Sequence, residues 1–296
     1  MSENSENIEM AEFAGKVALV AGNLGRFKND KFKMGLSGII AQNLIKNNCK
    51  VCIVDTDYKI AKACAEKIDN ENVKAYEADL FVECESKTEN YVDDRGRDKT
   101  NVIWTKAPAH ELVQSIIKEF NKLDILITNF DKFEQARIDQ TDDELYDYLR
   151  DQNTLPVFHL ISAVRDVMST QRKTKGTYGK IVFITNIVGK AGMSFATMYS
   201  AFKGSLVGLT KCLAKEFGTF ANVNAVAMGP LSEKKMQGPK DRIKKNYLLT
   251  QTACCDKDLT FQDIAPLATF LASDDAIAIN GQVMNVDGGM WLKLEA

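Results

Sequence analysis

Seven short aliphatic runs recur along the chain with longer amphipathic stretches between them. They are 16–22 (KVALVAG), 50–55 (KVCIVD), 72–79 (NVKAYEAD), 123–129 (LDILITN), 180–186 (KIVFITN), 222–229 (NVNAVAMG) and 281–289 (GQVMNVDGG). The runs are apolar on both faces, so each strand must be covered from two sides. Residues 38–48, 61–68 and 199–217 have helical spacing instead. In the last of these, Phe202, Leu206, Leu209, Leu213 and Phe217 recur every three or four positions. Strands alternating with helices predict an α/β fold: one doubly wound domain, a seven-stranded parallel sheet with helices on both faces.

Two segments break the alternation. Residues 25–34 and about 84–107 show no clear periodicity, and both are expected as insertions, the second as an exposed loop rich in acids and bases. Otherwise 296 residues with 45% hydrophobic content suit a single domain with a full core. The formal charge of −2 gives no basic field for nucleic acid. No apolar run approaches the ~20 residues of a membrane span, and MSENSENIEMAEF lacks the order of a signal peptide. The expectation is a soluble, cytoplasmic protein.

The seven cysteines are expected to be free thiols. Cys49 and Cys52 form a CxxC pair, but the stretch CKVCIVD is a strand entry with no second ligand pair. Cys254, Cys255, His110 and His159 look equally isolated, so no metal site is expected.

Tyr199 and Lys203 lie four apart at the start of a helix, which places phenol and ammonium on one face a turn apart. A cation there is expected to lower the phenol pKa from ~10 toward working pH, as a general acid/base requires. On its own the YxxxK spacing also describes a surface lysine beside a half-buried tyrosine.

The order of motifs adds to it. A glycine-bearing turn after strand one ends at Gly22, strand two ends at Asp55, and EAD ends at Asp79. Asn129 follows strand four, Asn153 comes next, and then IVFITN, YSAFK, NAVAMGP and NVDGG. This series resembles the short-chain dehydrogenase/reductase family over nearly the whole chain. The resemblance implies a Rossmann-type domain binding NAD(H) or NADP(H) at the carboxyl edge of the sheet. It implies that Tyr199 exchanges a proton with the substrate oxygen, that Lys203 tunes it and holds the nicotinamide ribose, and that Asn153 supports a relay water. The substrate-orienting serine of the family falls on Asn186, thirteen residues before Tyr199. Cofactor contacts fall on Gly22, Gly35, Ser37, Asp55, Asp79 and Asn129.

Departures from the family pattern gather on one groove. Asn186 can donate a hydrogen bond but is longer than serine, pushing its donor into the pocket. Ala21 replaces the threonine of the glycine-rich turn, Ser37 replaces its third glycine, and about nine extra residues separate Gly22 from Gly35. Arg26, Lys28, Lys31 and Lys33 in that insertion read either as a cationic flap over phosphates or, preferably, as a solvated excursion. Phe130 and Asp131 stand where the family has small residues. They are expected to obstruct the nucleotide and to set a carboxylate against phosphate. Met228 replaces a proline near the nicotinamide, and the 84–107 insertion leaves beside the expected adenine pocket. Asp55 reads equally as an NAD-selecting carboxylate or as part of an Asp-rich turn.

Three functions follow. One is an active NAD-dependent secondary-alcohol or hydroxyacyl-CoA dehydrogenase using Tyr199, Lys203 and Asn153. The preferred one is a degenerate, non-catalytic subunit in a homo- or heterotetramer with a homologous active subunit that binds NAD. This resembles the non-catalytic partner in heteromeric members such as (hydroxybenzyl)succinyl-CoA dehydrogenase. The third is a dinucleotide or acyl-CoA sensor. The resemblance places subunit contacts at roughly 141–172, 199–217 and 261–296, and the substrate loop at about 231–256, whose lysines could meet an anionic thioester.

Overall fold

The computed structural model describes residues 13–93, 95–229, 231 and 259–289. In chain order these form β1 (Val17–Ala21), β2 (Gly25–Lys28), β3 (Lys31–Met34), α1 (Leu36–Lys46), β4 (Lys50–Asp55), α2 (Tyr58–Ile68), β5 (Val73–Glu77), β6 (Glu85–Val92) and β7 (Asp98–Lys106). They continue with α3 (Pro108–Phe120), β8 (Ile125–Thr128), α4 (Asp143–Asn153), α5 (Leu155–Lys175), β9 (Gly179–Asn186), α6 (Val188–Ala191), α7 (Thr197–Glu216), β10 (Ala221–Met228), α8 (Phe261–Leu271) and β11 (Val283–Val286).

The seven aliphatic runs make one sheet in the order β11-β10-β9-β8-β1-β4-β5, parallel throughout. The chain winds outward from β1 through β4 to β5, then crosses back to β8. The crevice at the carboxyl ends of β1 and β8 is therefore the switch point where doubly wound folds place ligands. All five residues of β1 are buried because both faces are covered. Val20, Ile53 and Ile127 pack with Ile40 and Leu44 of α1 and Ile264 of α8 on one side. Leu19, Val54 and Leu126 pack with Ile116 of α3, Leu160 of α5 and Leu206 of α7 on the other. Each fully buried aliphatic side chain contributes about 1.5–3 kcal/mol, so the two-sided sheet carries the fold.

Both insertions are β-hairpins, which corrects the expectation of irregular loops. At the β2–β3 turn Asn29 and Asp30 both have positive φ, 49° and 58°, as a two-residue type I′ turn requires. Phe27 and Phe32 meet edge-to-face at 5.4 Å across the pair. The register puts Arg26, Lys28, Lys31 and Lys33 on the opposite face, all solvent-exposed, while Phe32 and Met34 pack on the core.

The longer hairpin, β6–β7, is exposed along all of β6. Its turn is tied by Asp93, which accepts from the amides of Arg95 (2.9 Å) and Arg97 (3.0 Å) and from the Arg97 guanidinium (2.9 Å). Its base is anchored by Trp104, whose ring centroid lies 5.3 Å from His110, 6.1 Å from Phe158 and 6.3 Å from His159. The two histidines are thus neighbours under the hairpin, not isolated side chains.

Cys49 packs in one core and Cys52 in the other, so the CxxC pair straddles the sheet. Burial pushes each thiol up to about 12. Cys254 and Cys255 lie outside the described residues, as does nearly all of the expected substrate loop. Among the described residues no cluster of His, Cys, Asp or Glu could hold a metal ion, and no helix is long and apolar enough to cross a membrane.

Candidate active site at the carboxyl edge of the sheet

The first turns of α7 bring Tyr199 and Lys203 to the switch point, with Lys203 Nζ 5.5 Å from the tyrosine ring centroid. Both are buried, at 2% and 0% exposure. A third residue joins them. Asp131, carried on the chain as it leaves β8, accepts the Tyr199 hydroxyl at 2.5 Å through Oδ1, and the same oxygen lies 3.3 Å from Lys203 Nζ. Lys203 also donates to the Phe130 carbonyl. The Asp131 carboxylate, only 2% exposed, therefore sits on the tyrosine and lysine at the edge of the cleft that Asp131 also lines.

This arrangement reverses the expected electrostatics. Burial first, and then the Asp131 charge and hydrogen bond, hold the Tyr199 phenol well above its ordinary value; a hydrogen bond with Asn186 acts the other way. The lysine does not win because its charge is met by a carboxylate that also takes the phenol's hydrogen bond.

Asn153, at the end of α4, is completely buried. Its Nδ2 donates to the carbonyls of Lys132 (3.0 Å) and Leu149 (2.9 Å), while Oδ1 accepts from the Lys132 amide at 3.0 Å. Both amide hydrogens are engaged, so the side chain fixes the segment that carries Asp131. Asn186 ends β9 and accepts from the Val188 amide at 3.1 Å, which starts α6. Phe133, which no sequence pattern singles out, lies edge-on to Tyr199 at 5.0 Å. Ile187, Val188 and Ala196 complete the packing.

Beside this cluster a cleft of about 230 Å³ opens, lined by Gly22, Asp55, Ala78, Phe81, Asn129 and Phe130 among others. Gly22 has φ +81°, and a Cβ there would lie 2.6 Å from the Asn129 carbonyl oxygen, so the turn needs glycine. Asp55 accepts from the Asp57 amide at 3.0 Å, and burial raises its pKa. Asp79 is outside the lining and accepts from the Phe81 amide at 3.0 Å. The side chains of Ser37, Thr128 and Asn129 have buried polar atoms with no protein partner. Such atoms normally belong to a bound polar group. No residue of either hairpin lines the cleft, so the 84–107 insertion does not fill the groove and the basic face of β2–β3 does not reach it.

At the adenosine end of the site Asp55 and the unpartnered Asn129 amide are available to a dinucleotide. In a Rossmann-type fold the first-turn amides of the helix after β1 face the pyrophosphate, and in α1 these belong to Leu36, Ser37 and Gly38, behind the N-cap Gly35. Here the Gly35 amide donates to the Leu24 carbonyl at 2.7 Å and the Ser37 amide to the Asn23 carbonyl at 3.3 Å. A Cβ on Gly35 would fall 2.2 Å from the Asn23 oxygen, so the loop lies directly against the start of α1. Phe130 packs edge-on to Phe81 at 5.7 Å. At the nicotinamide end Tyr199 and Lys203 already have Asp131. Of the first-turn amides Ser37's is taken by the chain itself, and at the nicotinamide end Asp131 occupies the groups that a nicotinamide ribose and substrate would use.

Residues 60–291 match the family described as enoyl-(acyl carrier protein) reductase. The 3-oxoacyl-(acyl-carrier-protein) reductase FabG of Haemophilus influenzae is 30% identical over 203 residues, 68% of this chain and 81% of that protein. FabG of Escherichia coli is 26% identical over 281 residues, 95% and 99% of the two chains. The crystal structure of 3-ketoacyl-(acyl-carrier-protein) reductase from Brucella melitensis complexed with NADH superimposes with a TM-score of 0.71 at 22% identity, covering 94% of this chain and 98% of that one. With this match over most of its length, and with its sheet order, the chain belongs to the short-chain dehydrogenase/reductase family of oxidoreductases.

Proposed function

We propose that this chain is a catalytically degenerate subunit of an NAD-dependent short-chain dehydrogenase acting on a secondary alcohol or hydroxyacyl-CoA, with the chemistry carried by a homologous active subunit. The observation that carries this reading is the hold of Asp131 on Tyr199 and Lys203, to which the engagement of the Ser37 amide by the Asn23 carbonyl adds. One charge-assisted hydrogen bond to a phosphate is worth about 1.5–3 kcal/mol. Without it, affinity for a dinucleotide falls by roughly 10–10²-fold.

Assembly surfaces are the part left for selection to hold. Tyr146 and Tyr148 on α4 and Phe158 on α5 are 43%, 40% and 48% exposed, and Phe270, Ile277 and Met284 are exposed toward the C-terminal end of the sequence. Aromatic side chains of this kind favour subunit contacts, in keeping with a homo- or heterotetramer.

The cleft at Asp55 favours a second reading: a sensor that takes the adenosine end of a nucleotide or acyl-CoA, using the unpartnered Asn129 amide. An active dehydrogenase using Tyr199 and Lys203 would require Asp131 to release both.

Calorimetric titration of NADH into the chain mixed with a homologous short-chain dehydrogenase encoded beside it tests the main reading. Saturation at half of the subunits supports it. Binding at every subunit rejects it, as does failure of the two chains to associate.

A further inference from the structure

We propose that Asp131 is a positioning residue that locks Tyr199 and Lys203 out of use, by accepting the tyrosine hydroxyl and pairing with the lysine so that neither can serve a substrate oxygen. This deepens the reading of a degenerate subunit, resting on it for the loss of cofactor binding but not for the state of the phenol.

Three buried polar groups meet at one carboxylate oxygen. Asp131 Oδ1 is 2.5 Å from the Tyr199 hydroxyl and 3.3 Å from Lys203 Nζ, and none of the three side chains is more than 2% exposed. The charges of Asp131 and Lys203 compensate each other. The phenol completes the cluster as a neutral donor, because a second anion beside Asp131 would be repelled.

The carboxylate is not free to swing away. The next residue, Lys132, is gripped through both its amide and its carbonyl by the buried Asn153. Phe133, one residue further, covers the tyrosine ring. The segment 131–133 is therefore held at its middle and lies against Tyr199 at both ends.

Without the carboxylate, the same geometry would favour ionisation. Lys203 would remain one helical turn from the phenol with no counter-charge from Asp131, and a cation within ~4–6 Å stabilises phenolate. The Asn186 hydrogen bond, which already favours the charged form, would act in the same direction. The pair that the family spacing implies is thus present, and Asp131 opposes it on top of the larger effect of burial.

Spectrophotometric pH titration of phenolate absorbance tests this on the full-length chain with no cofactor present. Subtracting Tyr199→Phe from the parent protein should leave no ionisation step up to the ordinary tyrosine value of ~10. Subtracting Asp131→Asn/Tyr199→Phe from Asp131→Asn should reveal one new step below that value, and Asp131→Gly should give the same step. A Tyr199 step below ~10 in the parent protein overturns the proposal. So does a folded Asp131→Asn protein with no new step. A step below ~10 in the parent difference refutes the lock even if neither Asp131 variant folds. Tight NADH binding would overturn the degenerate-subunit reading and leave this titration unaffected.

Discussion

Replacing Asn153 by leucine keeps the branched shape of the side chain, though with bulkier methyl groups, and removes its three hydrogen bonds to Lys132 and Leu149. The Leu149 carbonyl belongs to α4, so the groups left without a partner are the amide and carbonyl of Lys132. An unsatisfied buried backbone group costs about 1–3 kcal/mol, and water reaches part of this segment, so a loss of about 2–3 kcal/mol is expected. For a chain of this size each kcal/mol moves the midpoint by roughly 2–4 °C. Thermal unfolding followed by circular dichroism should show a fall in Tm of about 5–10 °C. Asn153→Asp should fall at least as far, because it turns a carboxylate oxygen toward the two carbonyls that now accept from Nδ2. A Tm for Asn153→Leu within about 1 °C of the parent would refute the clamp, since no arrangement of three engaged hydrogen bonds is that dispensable.

Other outcomes follow from the same coordinates. Burial holds the pKa of His110 and His159 below the unfolded value, so the unfolded chain takes up protons first. Stability should fall as pH drops below ~6.5, with a change in Trp104 emission, and replacing both histidines by asparagine should flatten that dependence. Cys49, Cys52 and Cys64, each pushed up to about 12 by burial, should react with a thiol reagent only after unfolding, whereas exposed Cys212 reacts in the native protein. Gly22→Ala should lower stability by about 1–3 kcal/mol in urea unfolding, because φ is +81° and the new Cβ meets the Asn129 oxygen at 2.6 Å; unchanged stability would contradict the close packing of β1 against the turn after β8.

The parallel sheet was legible because each of its strands is buried on both faces and so reads as a short aliphatic run. The hairpins were not, for the opposite physical reason. Strands wet on both sides, such as β6, are under no pressure to alternate, and only their turns carried a signal. The Asn29–Asp30 pair between Phe27 and Phe32 was such a signal, as was Arg95–Gly96–Arg97 flanked by Asp93 and Asp98.

Tyr199 and Lys203 were legible from helical spacing, but the sign of their interaction was not. Its decisive neighbour, Asp131, is 68 residues away in sequence and comes into contact only through the register of β8 beside β9. Asp131 lines the cleft, as its place after strand four leads one to expect, but its contact with Tyr199 and Lys203 has no counterpart in the local sequence. Nor could sequence show that the carbonyls of Asn23 and Leu24 would cap α1, since backbone groups leave no trace in residue type.

The measurement closest to the central claim is calorimetric titration of NADH into the purified chain alone. With the Ser37 amide engaged by its own loop and with Tyr199 and Lys203 held by Asp131, no saturation is expected at micromolar NADH. A stoichiometric site with a micromolar Kd would contradict the account.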